Sequence, residues 1–182
     1  MKISKLKIGI LFFILSILLI ETISLAISNN QEEIINKRNT ETESKAYIVD
    51  EKEPKLSEEE EETLKLINEY RKQNGLEELK TYSKLQKTAR IKALDIVKVG
   101  YFSHNSPTYG SPFDMLKSFK VSYKTAGENI AANSSNSSAV TAWMNSSGHK
   151  ANILNSSFNY TGIGVVSSPR YGKMYVQMFI GK

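Results

Sequence analysis

Apolar and polar positions change their rhythm several times along this chain, and each change marks an element. Lys2, Lys5 and Lys7 lead into a largely apolar run from Ile8 to Ile20. Glu21 ends that run after about 13 residues, short of the ~18 that a continuous membrane-spanning helix requires. Ser24 and Ala26 then give the small-x-small pattern of a signal-peptidase site. Residues 1–26 are therefore read as an export signal peptide. An uncleaved N-terminal anchor is the alternative, because Thr22 to Ile27 is apolar enough to lengthen the helix. Both readings place the rest of the chain outside the cytoplasm, secreted or held at the cell surface, and bring it to a membrane only through this segment if uncleaved. Residues 27–56 are rich in Asn, Glu, Lys, Ser and Thr without a sustained period. The Tyr47-Ile48-Val49 run is too short to organise them, so they read as a flexible polar linker.

At Ser57 a helical period begins. Ser57 followed by Glu58, Glu59 and Glu60 supplies a hydroxyl N-cap and carboxylates facing the positive end of the helix dipole. Leu64, Ile67 and Tyr70 or Arg71 continue at helical spacing, and Asn74-Gly75 is a stop. A second helix is predicted from Tyr82 to Val99, with Leu85, Ala89 and Leu94 on its face and Gly100 ending it. Pro112 to Lys120 reads as a short helix with Pro in its first turn. Ser137 to Asn145 reads as another, followed by a helical turn over 150–154. The period then changes: Tyr160–Ser167 and Tyr171–Ile180 are β-type runs joined by Ser-Pro-Arg-Tyr-Gly, a hairpin signal. Helices followed by a terminal hairpin predict an α+β layer fold, with residues 57–182 as one domain.

Composition narrows the function classes. Hydrophobic residues make up 40% of the 182 and aromatics 9%, enough for a core. The net charge of +5 and pI of about 9.2 fit an anionic partner such as a wall polymer or a lipid surface, and equally fit plain solubility. The lysines are scattered, and no recognition helix, nucleotide fingerprint or basic-aromatic strip is present, so nucleic acid is not an expected partner. The absence of cysteine excludes disulfides, thiolate metal sites and Cys nucleophiles.

Histidine is scarce and therefore informative: the chain has two. His104 lies in the segment Tyr101-Phe102-Ser103-His104-Asn105-Ser106-Pro107, directly after the Gly100 stop. His149 follows Ser146-Ser147-Gly148, just past the Trp143 helix. Both are expected at helix exits, where side chains reach a cleft more easily than from a core face. Glu128 lies in Ala126-Gly127-Glu128-Asn129-Ile130-Ala131, among small and apolar neighbours that make an unpaired carboxylate costly. The three side chains could supply metal ligands with an open position. They could equally form a hydrogen-bonded network in which Glu128 fixes a histidine tautomer. Asn129 is expected to brace a loop through backbone hydrogen bonds, and Trp143 to anchor the core.

These segments resemble the bacterial branch of the CAP superfamily, which takes in cysteine-rich secretory proteins, venom antigen 5 and plant pathogenesis-related 1 proteins. The resemblance extends over Trp143-Met144-Asn145-Ser146-Ser147-Gly148-His149-Lys150-Ala151-Asn152-Ile153-Leu154, Ile163-Gly164-Val165 and Tyr175-Val176-Gln177-Met178-Phe179. It implies a three-layer α-β-α sandwich with a central antiparallel sheet (the CAP or SCP fold). It also implies an open cleft lined by two His and two Glu, which in some members holds a divalent metal such as zinc. By position, His104 and His149 take the histidine places and Glu128 that of the first glutamate. Ser146 stands where the second glutamate is expected, so the four-residue set is incomplete here.

Two functions from different classes follow. One is a non-catalytic module that binds an unidentified cell-envelope or small-molecule ligand, a lipid or a wall polymer, and it is the preferred reading. The other is a metal-assisted, peptidase-like extracellular hydrolase. Glu128 would be its general base, and His104 and His149 would hold the metal or move protons. No serine stands in a Gly-x-Ser-x-Gly context, although Ser103, Ser106 and Ser147 are near the histidines.

Overall fold

In the computed structural model, which describes residues 55–182 together with Ser28, Asn30 and Gln31 (these three helical), the first long helix begins as its sequence signal predicts. Helix α1 spans Glu58–Gln73. The Ser57 hydroxyl accepts from the Glu60 backbone N–H at 3.3 Å, and the Glu60 carboxylate accepts from Ser57 N–H at 2.9 Å. This reciprocal box satisfies two donors that the helix itself leaves open. The expectations for residues 1–26 and for most of 27–56 lie outside the described residues. Among the described residues no helix is long and apolar enough to cross a membrane.

A two-residue strand, β1 at Lys80–Thr81, leads into α2 at Ser83–Val99. Gly100 ends α2 with φ +80°, a left-handed conformation that costs glycine little. Helix α3, Pro112–Ser118, has its own capping box between Ser111 and Asp114. Strand β2 is Thr125–Asn133, α4 is Asn136–Asn145 and α5 is Ser147–Ile153. Strands β3, Tyr160–Ser168, and β4, Gly172–Gly181, form the terminal hairpin.

The sheet order is β1-β3-β4-β2. Strand β4 pairs antiparallel with both β3 and β2, and only the short β1 runs parallel to its neighbour β3. The alternation of side chains along β4 builds the two halves of the core. Met174, Val176, Met178 and Ile180 face Leu85, Ala89, Ala93 and Ile96 of α2 and Met115 and Leu116 of α3. Tyr175 and Phe179 face the other way, toward Ile67 of α1, Val140 and Trp143 of α4, and Ile153 of α5. A strand covered on both faces needs an almost unbroken apolar sequence, and β4 has one. The result is the expected α-β-α sandwich, with α2 and α3 on one face and α1, α4 and α5 on the other. Trp143 is an anchor of the second core, its indole N–H donating to the Ile130 carbonyl at 3.1 Å.

Two glycines set how closely α2 lies on the sheet. A Cβ on Gly162 would stand 2.4 Å from the Leu85 carbonyl oxygen, and one on Gly164 would stand 2.4 Å from that of Ala89. Between them, the Gln86 amide bonds both the N–H and the C=O of Ile163. The described residues 55–182 pack as one compact unit that contains both cores.

Candidate functional site

Glu128, His104 and His149 come from three different places in the sandwich, and β2 brings them to the same edge. Strand β2 is the outermost strand beside β4, with Glu128 opposite Met178. Its small residues and single large apolar side chain give a weak strand signal, so sequence reasoning left 126–131 without an element. Burial of Glu128 to Ala131 between two helical layers compensates for that low propensity. Because side chains alternate, Glu128 shares the face of Ile130, the α2 side, while Asn129 shares the face of Ala131, the α5 side.

His104 sits in the loop after α2, and its side chain is 51% exposed, whereas that of Glu128 is 2% exposed. The Glu128 carboxylate accepts from His104 Nδ1 through Oε1 at 2.7 Å. This places the imidazole proton on Nδ1 and leaves Nε2 turned away from the glutamate. The second oxygen of Glu128, Oε2, is buried without a hydrogen-bond partner.

His149 differs from its expected setting. It lies inside the first turn of α5, which begins at Ser147, not in a loop after α4. Two short helices abut at Ser146, which ends one and precedes the other, and this crowding hides the boundary in sequence. The backbone of His149 is fixed by Asn129, whose amide donates to the His149 carbonyl at 3.1 Å. Asn152 donates to Asn129 Oδ1 at 2.9 Å and to the Glu128 carbonyl at 3.3 Å. Asn129 thus bonds backbone as anticipated, but from a buried strand position and across to a helix. Burial, and then the charge of His104, lower the pKa of His149 below its ordinary value of 6.5.

Among the described residues, no three His, Cys, Asp or Glu side chains are grouped to hold one metal ion. His104, His149 and Glu128 do not form a three-ligand set, because Glu128 turns one oxygen to His104 Nδ1 and buries the other. Ser146, in the place of the second glutamate, carries no carboxylate. A divalent metal therefore does not fit these side chains as a three-ligand centre. The serines near the histidines are placed differently from a nucleophile. Ser106 donates to Asp95 at 2.6 Å and accepts from the N–H groups of Thr108 and Tyr109. Ser103 accepts from the Asn105 N–H at 3.1 Å. Two grooves, of about 400 and 540 Å³, run along α1 between Glu61, Leu64, Asn68 and Glu78, and none of the candidate residues lines them. Sequence reasoning missed Lys92, Asp95 and Tyr101, which support the His104 loop. The one available signal was a Lys and an Asp three apart on the apolar side of α2.

Comparison with known proteins decides the family. The family model of the CAP cysteine-rich secretory protein family matches residues 64–179. The chain belongs to that family. Its CAP domain is 50% identical over 124 residues to YkwD, an uncharacterized protein of Bacillus subtilis, covering 68% of this chain and 47% of that protein. It is also similar to the crystal structure of an extracellular protein containing an SCP domain from Bacillus anthracis. There the TM-score is 0.63 at 34% identity, over 71% of this chain and 45% of the other. An outer surface protein of Borrelia burgdorferi shares the fold at a TM-score of 0.65 and 21% identity, covering 71% of this chain and 97% of that one. The chain spans less than half the length of the two Bacillus proteins.

Proposed function

We propose that this CAP domain is an exported ligand-binding module of the cell envelope, and that it takes its ligand at the His104–Glu128–His149 surface without chemical turnover. The observation that carries the reading is Glu128 itself. A carboxylate with a 2% exposed side chain has one oxygen on His104 Nδ1 and the other with no protein donor. Burying an acceptor in that state costs about 1–3 kcal/mol, a cost that a pair kept for stability alone has no reason to carry. His104 beside it is half exposed and, with its proton on Nδ1, turns Nε2 outward as an acceptor for a donor group of the ligand. Export is supported by the N-terminal pattern of residues 1–26 and by the extracellular description of the Bacillus anthracis relative.

Calorimetry on residues 49–182 tests the reading. Wild type is compared with Glu128→Gln and His104→Ala against zinc alone, vesicles containing phosphatidylglycerol, and soluble peptidoglycan fragments. Binding of a lipid or wall probe that both variants weaken tenfold or more, with no cleavage of the probe, is expected. Stoichiometric zinc lost in His104→Ala, together with Glu128-dependent cleavage of the wall fragments, would replace the binding module with the metal-assisted hydrolase.

A further inference from the structure

Beneath the loop that carries His104 lies a buried charge cluster that ligand contact does not require. Lys92 on α2 is 0% exposed, although an ammonium inside a protein is costly unless it is paired. Its Nζ donates to the His104 carbonyl at 2.7 Å and to the Tyr101 hydroxyl at 3.1 Å, and lies 4.9 Å from the centre of the Tyr101 ring. The Tyr101 hydroxyl donates onward to Asp95 Oδ2 at 2.5 Å. Asp95 accepts two further hydroxyls, Ser106 Oγ at 2.6 Å and Thr108 Oγ1 at 2.7 Å. Two α2 residues, three apart and so on one side of the helix, thereby grip the loop at 101, 104, 106 and 108. The loop's own backbone pairing is the Ser106–Gly110 bridge, which lies after His104.

We propose that Lys92 and Asp95, joined through the Tyr101 hydroxyl, are the positioning residues of the site: by tying the His104 carbonyl and the loop hydroxyls to α2, they hold the His104 imidazole against Glu128. A buried cation kept for stability alone has no advantage over a well-packed apolar side chain of its size. A loop with little regular pairing, however, needs directional bonds to keep one conformation, and charge-assisted bonds are the strong ones. Burial draws the Lys92 pKa down, while the charges of Glu128 and then Asp95 draw it back up. Lys92 therefore acts on both partners of the pair, on His104 through its carbonyl and on Glu128 through space. Burial and the bond to Asp95 also push the Tyr101 phenol above its ordinary range, so it stays a donor at any physiological pH.

The inference rests on the His104–Glu128 pair read above as the heart of the ligand site, but not on what the ligand is. Its test is imidazole ¹⁵N spectroscopy of ligand-free residues 49–182 near neutral pH, where two histidines give two separable sets of signals. In the wild type, His104 is expected as a single tautomer protonated at Nδ1. In Lys92→Met and in Tyr101→Phe its nitrogen signals are expected to move toward the average of two exchanging tautomers. The β3 and β4 amide signals should stay in place. Should Lys92→Met fail to fold, Tyr101→Phe decides alone, since it removes one hydroxyl and no charge. An unchanged His104 pattern in a folded variant would falsify the positioning role. A wild type without a proton on His104 Nδ1 would instead overturn the His104–Glu128 contact, and the ligand-site reading with it.

Discussion

Arg71 Nη1 donates to the carbonyl oxygen of Ile153 from 2.7 Å, across 82 residues of sequence. The same guanidinium reaches the carbonyls of Asn155 at 3.0 Å, Phe158 at 3.2 Å and Glu77 at 2.8 Å. A buried cation here is solvated by backbone oxygens, and the planar fork of Arg lets one side chain reach all four. It fastens the end of α1 to the turn between α5 and β3, and so holds the helix that carries His149. Burial lowers the Arg71 pKa from its ordinary value.

Replacing Arg71 by Met removes that donor from all four carbonyls, of which Asn155 keeps the Phe158 N–H at 3.3 Å. The expected loss is about 3 kcal/mol, the order of a few buried acceptors left unsatisfied. Arg71→Lys should recover less than half of it, because an ammonium cannot span the four oxygens. Urea unfolding of residues 49–182 measures both, and a loss below about 1 kcal/mol for Arg71→Met would show that water replaces the clamp.

Gly164→Ala tests the contact between α2 and the sheet. Its added methyl would meet the backbone of Ala89 and Arg90 at 2.4–2.7 Å, where no side chain can swing aside. Overpacking against backbone belongs at the upper end of the usual ~1–3 kcal/mol cost. The displacement of α2 should also reach the His104 loop that α2 carries. The variant is expected to lose about 3 kcal/mol in urea unfolding and to broaden the His104 signals. Unfolding at the wild-type midpoint would show that the helix is free to shift.

These contacts mark where sequence stops being informative. Helix α1 was legible because its capping box is local: Ser57 and Glu60 touch each other and nothing distant is needed. The β3–β4 hairpin was legible because its two β-type runs and the Ser-Pro-Arg-Tyr-Gly turn between them are consecutive in sequence. Strand β2 was not, since Ala126 to Ala132 has weak strand propensity and is held by β4 and two helical layers. Strand β1 has two residues, too few for any period. The candidate site divides in the same way. His104, Glu128 and His149 could be singled out by scarcity and by family resemblance. Lys92, Asp95 and Arg71 could not, because a lysine or arginine on a helix is normally solvated, and burial of these depends on carbonyls and carboxylates remote in sequence.

His149 makes the stability of the domain depend on pH, and the sign follows from the direction of its shift. Burial first, and the charge of His104 second, favour its neutral form in the folded state and hold its pKa below 6.5. The unfolded chain therefore binds the His149 proton more readily, and stability is lost as pH falls below about 6.5 until the folded-state value is passed. Above about 6.5 both states are neutral at this residue and its contribution vanishes. The wild type is thus expected to lose stability relative to His149→Gln on going from pH 7.5 toward pH 5, with the two responding in parallel above pH 7. His104→Gln removes the second cause but not the first. In that variant the His149 titration, followed by its imidazole signals, should move up toward 6.5 without reaching it. A His149 titration that stays put in His104→Gln would mean that burial alone sets its value and that the two imidazoles do not sense each other.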